Sequence, residues 1–173
     1  MTEDTERAMR LTERWVTAYQ PVVFRAAYLI LRDTAAAEDV AQETFLRAYR
    51  AAHHMDPGEG VRAWLYRIAV NTSLNEVRRR KRETAAVDKM RPQSIAADPS
   101  DQSDTAAVVG AAIDRLPDRL RVTVICRYFL DLSEREIAQV LKVRPGTVKS
   151  RLFEARRQLA GDDVLAVAAS GSG

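Results

Sequence analysis

The chain offers one cysteine and two histidines in 173 residues, too few for a thiolate zinc cluster and too few for any intrachain disulfide. Cys126 lies in the apolar run Val122 to Tyr128 and reads as a small buried hydrophobe. His53 and His54 are adjacent, so one helix face cannot present both at i and i+4, and no third ligand accompanies them. No metal and no other cofactor is expected. Long apolar runs are also missing: the longest, Ala26 to Leu31 and Val164 to Ala169, fall far short of the roughly 20 residues of a membrane span. The first residues, MTEDTERAMR, are acidic and polar where a secretory signal has a basic start and an apolar run. The expectation is a cytoplasmic protein with no membrane insertion. Aromatics make up only 6% against 46% hydrophobic residues, a composition that suits an all-α chain of two small helical domains.

The formal net charge of +3 conceals a pattern. Residues 1–82 carry 14 basic and 11 acidic side chains, residues 83–105 carry 2 and 5, and residues 106–173 carry 11 and 8. The middle stretch, with Pro92, Pro99 and few large apolar residues, has no helical period and reads as a flexible acidic linker. The basic residues on either side are clustered, in Arg78 to Arg82 and again from Lys142 to Arg157. Two basic patches on a tether suggest bipartite binding to a polyanion, although the first patch by itself is equally compatible with a solvated helix face.

The second patch has a specific context. Ser133 and Glu136 form the spacing of a reciprocal capping box, Leu132 and Ile137 can staple across it, and Ile137, Val140 and Leu141 supply a buried stripe ending near Lys142. After a turn of about four residues, Pro145 suits the first turn of another helix, in which Val148, Leu152, Ala155 and Leu159 form a core face. The opposite face presents Ser150, Phe153, Glu154 and Arg157, flanked by Lys149, Arg151 and Arg156. A short capped helix, a tight turn and a second helix with a basic exterior describe a helix-turn-helix, whose second helix enters the major groove of DNA. The alternative is an ordinary helical hairpin with a charged outside.

Upstream, helices are expected from about Leu11 to Ile30 with a boundary or kink at Gln20 and Pro21, from Thr34 to Ala52, and from Val61 to about Arg82. The segment HHMDPGEG makes a loop between the last two. In the third helix Val61, Leu65, Ile68, Ala69 and Thr72 form a core face, while Trp64, Arg67, Asn71, Asn75 and Arg78 line a second stripe suited to bases and phosphates. For Trp64 core packing is the more favoured role. On the preceding helix Glu38, Asp39, Gln42 and Glu43 make an acidic patch. No nucleophile, metal or raised pKa accompanies these carboxylates, so a partner-binding or solvated face is expected and catalysis is not.

Taken in order, AEDVAQETFLRAYRA (37–51), RAWLYRIAVNTSLNEVRRRKR (62–82) and LSEREIAQVL followed by PGTVKSRLFEARRQL resemble the extracytoplasmic-function group of sigma factors in the sigma-70 family. The resemblance implies an N-terminal tail (1–10), sigma region 2 (11–82), the acidic linker (83–105), sigma region 4 (106–163) and a C-terminal tail (164–173). It implies a non-catalytic initiation subunit of RNA polymerase that recognises promoters. Asp39, Gln42 and Glu43 would bind the clamp helices of the largest polymerase subunit, and region 4 the flap of the second-largest. The loop from His53 to Gly60 and the stripe Trp64, Arg67, Asn71 and Asn75 would hold flipped bases of the minus-10 element, with Arg78, Arg79, Arg80, Lys81 and Arg82 following its backbone. The linker would run toward the active-site cleft and RNA exit path. Lys149, Ser150, Phe153 and Glu154 would read the minus-35 element, with Arg144, Thr147, Arg151, Arg156 and Arg157 nearer phosphates, and Ser133 would position the supporting helix. An anti-sigma factor is the further partner implied.

The sequence departs from the usual pattern at Glu154, where arginine is common and where a carboxylate can accept from cytosine but repels phosphate. Met55 and Pro57 replace a usual aromatic and glycine. Two readings from other classes differ in their tests: a dimeric helix-turn-helix regulator would bind palindromic duplex alone, and an enzyme using Glu38 and Asp39 would turn over substrate with a divalent ion.

Overall fold

The computed structural model describes residues 2–54, 58–86 and 104–161. The chain divides into two units, 1–93 and 94–173. The linker expected at 83–105 falls outside the described residues from 87 to 103, as do Met55 and Pro57 and the tail expected at 164–173.

In the first unit three long helices pack together: α1 (Glu3–Leu31), α2 (Thr34–Ala52) and α3 (Val61–Ala86). The first begins at Glu3, eight residues before the expected start, and so takes in most of the segment expected as a tail. Glu3, Asp4 and Glu6 lie in its first turn, where carboxylates complement the helix dipole, and Ala8 is fully buried. Of the boundary or kink expected at Gln20 and Pro21, the boundary is absent, because α1 runs through Pro21. Pro21 and Thr17, whose carbonyl loses its partner, are both exposed, so water can satisfy that carbonyl while Trp15, Val23, Ala26 and Ile30 keep the helix packed on either side. The helix ends at Arg32 in a left-handed conformation (φ 52°), and Asp33 at once caps α2 by accepting from the Ala36 amide at 3.0 Å.

Small residues let the helices approach. Ala37, Ala41 and Ala48 of α2 are buried with Val40 and Phe45, against Val61, Leu65, Tyr66, Ala69 and Val70 of α3. The buried hydroxyls of Thr44 and Ser73 donate to the carbonyls of Val40 (2.7 Å) and Ala69 (2.9 Å), so neither is left unsatisfied. Val61, Leu65 and Ala69 are buried as the α3 periodicity predicts, whereas Ile68 and Thr72 are only half-buried. The core face is rotated toward Tyr66, Val70 and Ser73.

The second unit holds α4 (Asp104–Arg115), α5 (Asp118–Val124) running on as a π-helical turn (Ile125–Phe129), α6 (Glu134–Leu141) and α7 (Pro145–Ala160). Its core joins Ile113, Leu116, Leu120, Val124 and Ala155. The capping box at Ser133 is complete: the Ser133 hydroxyl accepts from the Glu136 amide at 3.2 Å and the Glu136 carboxylate accepts from the Ser133 amide at 2.7 Å. Lys142 closes α6 in a left-handed conformation (φ 55°), and α7 starts at Pro145. The turn is therefore three residues, and Val148, Leu152 and Ala155 are buried as predicted.

Candidate nucleic-acid interface

On α3 the side chains of Arg67, Asn75 and Arg78 are exposed and Asn71 is half-buried, at the three- and four-residue steps that put them along one side. Asn75 Oδ1 accepts from Arg78 Nη1 at 3.1 Å, which orients the amide. Trp64 is half-buried and meets Trp15 of α1 edge to face, ring centroids 5.9 Å apart, the geometry of a packed aromatic pair. It therefore packs within the bundle while remaining only partly buried.

The basic run that follows is partly occupied by carboxylates. Arg79 donates to Glu76 at 2.6 and 2.8 Å and to Glu83 at 2.5 Å, and Arg80 donates to Glu76 at 2.8 Å and to Asp33 at 3.0 Å. Hydrogen bonds from Arg79, then Arg80, hold the Glu76 carboxyl down at about 2 against the opposing effect of burial. The Asp33 carboxyl is likewise lowered, first by the Ala36 amide and then by Arg80. Arg80 therefore also braces the fold, a job the sequence pattern does not reveal because Asp33 lies 47 residues away. Lys81 and Arg82 are exposed.

Between α2 and α3 lies a cleft of about 460 Å³ lined in part by Asp39, Glu43, Arg47, Asn75, Arg79 and Arg82. It brings Asp39 and Glu43 beside side chains from the stripe on α3, so the two sets of site residues read separately in the sequence share one surface. Glu43 accepts from Arg47 Nε at 2.6 Å, and Gln42 is exposed. Leu46, one turn beyond Gln42 and expected from the sequence to be available for packing, is 44% exposed and adds an apolar element to this side of α2.

On α7 the outward face carries Ser150, Phe153 and Arg157, all exposed, with Lys149 and Arg156 exposed on one flank and Arg151 half-buried on the other. Phe153 is 65% exposed, an unusual position for a large apolar ring. Lys149 Nζ lies 3.9 Å from Glu134 of the supporting helix, and the Ser150 hydroxyl donates to the Thr147 carbonyl at 3.0 Å. Thr147 is half-buried, and Arg144 is exposed just before the helix. Glu154 accepts from Arg119 of α5, a residue the sequence reading did not single out. Arg156 additionally borders an apolar groove of about 310 Å³ with Val109, Ile113, Val124, Tyr128 and Leu159.

Cys126 is fully buried, and burial pushes its thiol up to about 12. Among the described residues no group of three or more His, Cys, Asp or Glu side chains could hold a metal ion, and no helix is long and apolar enough to cross a membrane.

Comparison with known proteins agrees with this layout. Residues 15–83 match the family model of sigma-70 region 2, and residues 107–159 match that of sigma-70 region 4. The chain is 32% identical over 157 residues to the ECF RNA polymerase sigma factor SigW of Bacillus subtilis, covering 83% of this chain and 84% of the relative. It is 35% identical over 160 residues to ECF sigma factor SigE of Mycolicibacterium smegmatis, covering 89% of this chain and 62% of the relative. Among solved structures, the sigma factor RpoE of Bartonella quintana, in complex with the anti-sigma factor NepR, superposes with a TM-score of 0.76 at 25% identity, over 90% of this chain and 96% of that one. CnrH, solved with the cytosolic domain of CnrY, shares the fold with a TM-score of 0.64 at 22% identity, over 92% and 91% of the two chains. With two matched regions in family order and a relative 32% identical that is covered over 84% of its length, the chain belongs to the extracytoplasmic-function group of the sigma-70 family and is a promoter-recognition sigma factor.

Proposed function

We propose that the chain binds core RNA polymerase through the α2 surface and delivers it to promoters by two DNA contacts, one on α3 and one on α7. Asp39, Gln42, Glu43 and the exposed Leu46 suit the clamp helices of the largest subunit, offering carboxylates, an amide and an apolar anchor on one side of α2. Because Asp39 and Glu43 share a cleft with Asn75 and Arg82, engagement of polymerase sets the side chains that meet the minus-10 element. Asn71 and Asn75 pair with edges of bases lifted from the duplex, Trp64 flanks them, and Arg67, Arg78, Arg79, Arg80, Lys81 and Arg82 supply positive charge for the backbone. Arg79 is half-exposed and its ion pairs can exchange to phosphate at small cost, whereas Arg80, 25% exposed, keeps its bond to Asp33 and adds its charge without a direct phosphate contact.

The observation that carries the reading is the outward face of α7. A helix whose inner side chains are buried presents Phe153, Ser150, Lys149 and Arg157 to solvent behind a fully capped supporting helix. Hydrogen-bonding groups and an apolar ring on one exposed helix face suit the base edges and thymine methyls that a major groove offers, which supports this reading. Arg144, Thr147, Arg151 and Arg156 lie nearer the backbone of the minus-35 element. No covalent chemistry is involved, since melting follows from capture of unpaired bases, and the work is done in the cytoplasm.

The apolar groove beside Leu159 fits a helix from a partner protein: the polymerase flap when the factor is active, and an anti-sigma factor when it is held inactive. The complex of RpoE with NepR supports the second of these. The test is competition for core polymerase: a chain carrying Asp39→Ala, Gln42→Ala and Glu43→Ala should lose core binding by at least about tenfold while remaining folded. Unchanged core binding would move the polymerase contact off α2.

A further inference from the structure

Glu154 interrupts the positive charge on the outer side of α7, and a bare carboxylate beside DNA phosphates is repelled. Here the carboxylate is not bare. Arg119 Nη2 from α5 donates to Glu154 Oε1 at 3.1 Å and to Oε2 at 3.3 Å, and Gln158 Nε2 donates to the same Oε1 at 3.3 Å. Glu154 lies four residues after Ser150 and three before Arg157, so its carboxylate borders the face that those exposed side chains form. The Arg119 side chain is 56% exposed, and among the described residues its bonds to the carboxylate use Nη2 alone. The fork of a guanidinium can serve two anions at once, and here one edge meets Glu154 while Nε and Nη1 remain for a second acceptor.

Resting on the reading of α7 as the minus-35 helix, we propose that Arg119 is a DNA-contacting residue of this promoter interface. Held by Glu154, its guanidinium donates to a backbone phosphate flanking the minus-35 element, and Glu154 is the positioning residue that brings it there. The contact turns an apparent defect of the recognition helix into a carboxylate–guanidinium–phosphate relay supplied from a different helix. An ion pair this exposed adds little to folding, so its consequence is expected in binding and not in stability.

The experiment uses the full chain assembled with core polymerase and measures its affinity for promoter DNA with an intact or scrambled minus-35 element, over a series of salt concentrations. Arg119→Ala should weaken binding to the intact element about tenfold, the scale of one charged hydrogen bond, and lower the slope of log affinity against log salt by about one. Arg119→Lys should restore the slope, because the charge returns, and adding Glu154→Ala to Arg119→Ala should recover part of the lost affinity by removing the uncovered carboxylate. The thermal unfolding midpoint should not move in any of these variants. Unchanged affinity and slope for Arg119→Ala, with Lys149→Ala and Phe153→Ala still impaired, would overturn the assignment and leave the minus-35 reading standing. If those two α7 variants also bind normally, that reading fails and the role of Arg119 falls with it.

Discussion

Arg80 of α3 donates through Nη2 to Asp33 Oδ2 at 3.0 Å, so the carboxylate that caps the start of α2 is also gripped by the end of α3. One side chain thus performs two tasks, ending the α1–α2 turn and fixing the far end of the helix that carries the minus-10 stripe. Asp33→Ala removes both, and its expected cost is about 1–2 kcal/mol, combining a lost N-cap with a partly buried ion pair. Urea denaturation of the full chain measures it, and Asp33→Asn, which can still cap, should recover about half.

The acid limb of stability should depend on Glu76. Its carboxyl is held at about 2 in the folded chain, well below the ordinary glutamate value, chiefly by Arg79 and then Arg80. A group depressed by folding contributes stability above its unfolded pKa and loses it as pH falls through the folded one. Stability should therefore decline between about pH 5 and pH 2. Glu76→Gln should flatten that decline, and a denaturation midpoint followed against pH gives the comparison. Equal slopes for the two proteins would remove Glu76 from the account.

Neighbouring residues on α7 should separate binding from folding. Leu152 is 3% exposed, and Leu152→Ala should destabilise the chain by about 2–5 kcal/mol. Phe153, next to it, is 65% exposed, and Phe153→Ala should leave stability within about 0.5 kcal/mol while reducing binding to minus-35 DNA. Calorimetry and holoenzyme binding on the same preparations distinguish the two.

Cys126 should be chemically silent. With no exposed surface and its thiol at about 12, it carries almost no thiolate at neutral pH. A thiol reagent should label it only at the rate of unfolding, and mild peroxide should leave promoter-directed transcription unchanged. Rapid labelling of the folded chain would show that the segment around the π-helical turn opens.

What the sequence revealed follows the range of the interactions. The capping box at Ser133 and Glu136 joins residues three apart, and Val148, Leu152 and Ala155 recur at four- and three-residue steps along one helix, so both patterns are local and the structure reproduces each one. Pro21 does not end α1, because the local rule is outweighed by packing of α1 against two other helices. The pairing of Arg80 with Asp33 and of Arg119 with Glu154 spans 47 and 35 residues and leaves no periodic trace in the sequence. The cleft that joins Asp39 and Glu43 to Asn75 and Arg82 was illegible for the same reason, since it depends on how α2 lies against α3.

The most direct test of promoter direction is run-off transcription by core polymerase from a related bacterium on a promoter library, with and without this chain, followed by sequencing of transcript starts. New starts that share spaced minus-35 and minus-10 elements are expected, lost together when Gln42 and Glu43 become alanine. Absence of new starts, with the chain instead binding palindromic duplex on its own, would contradict promoter direction.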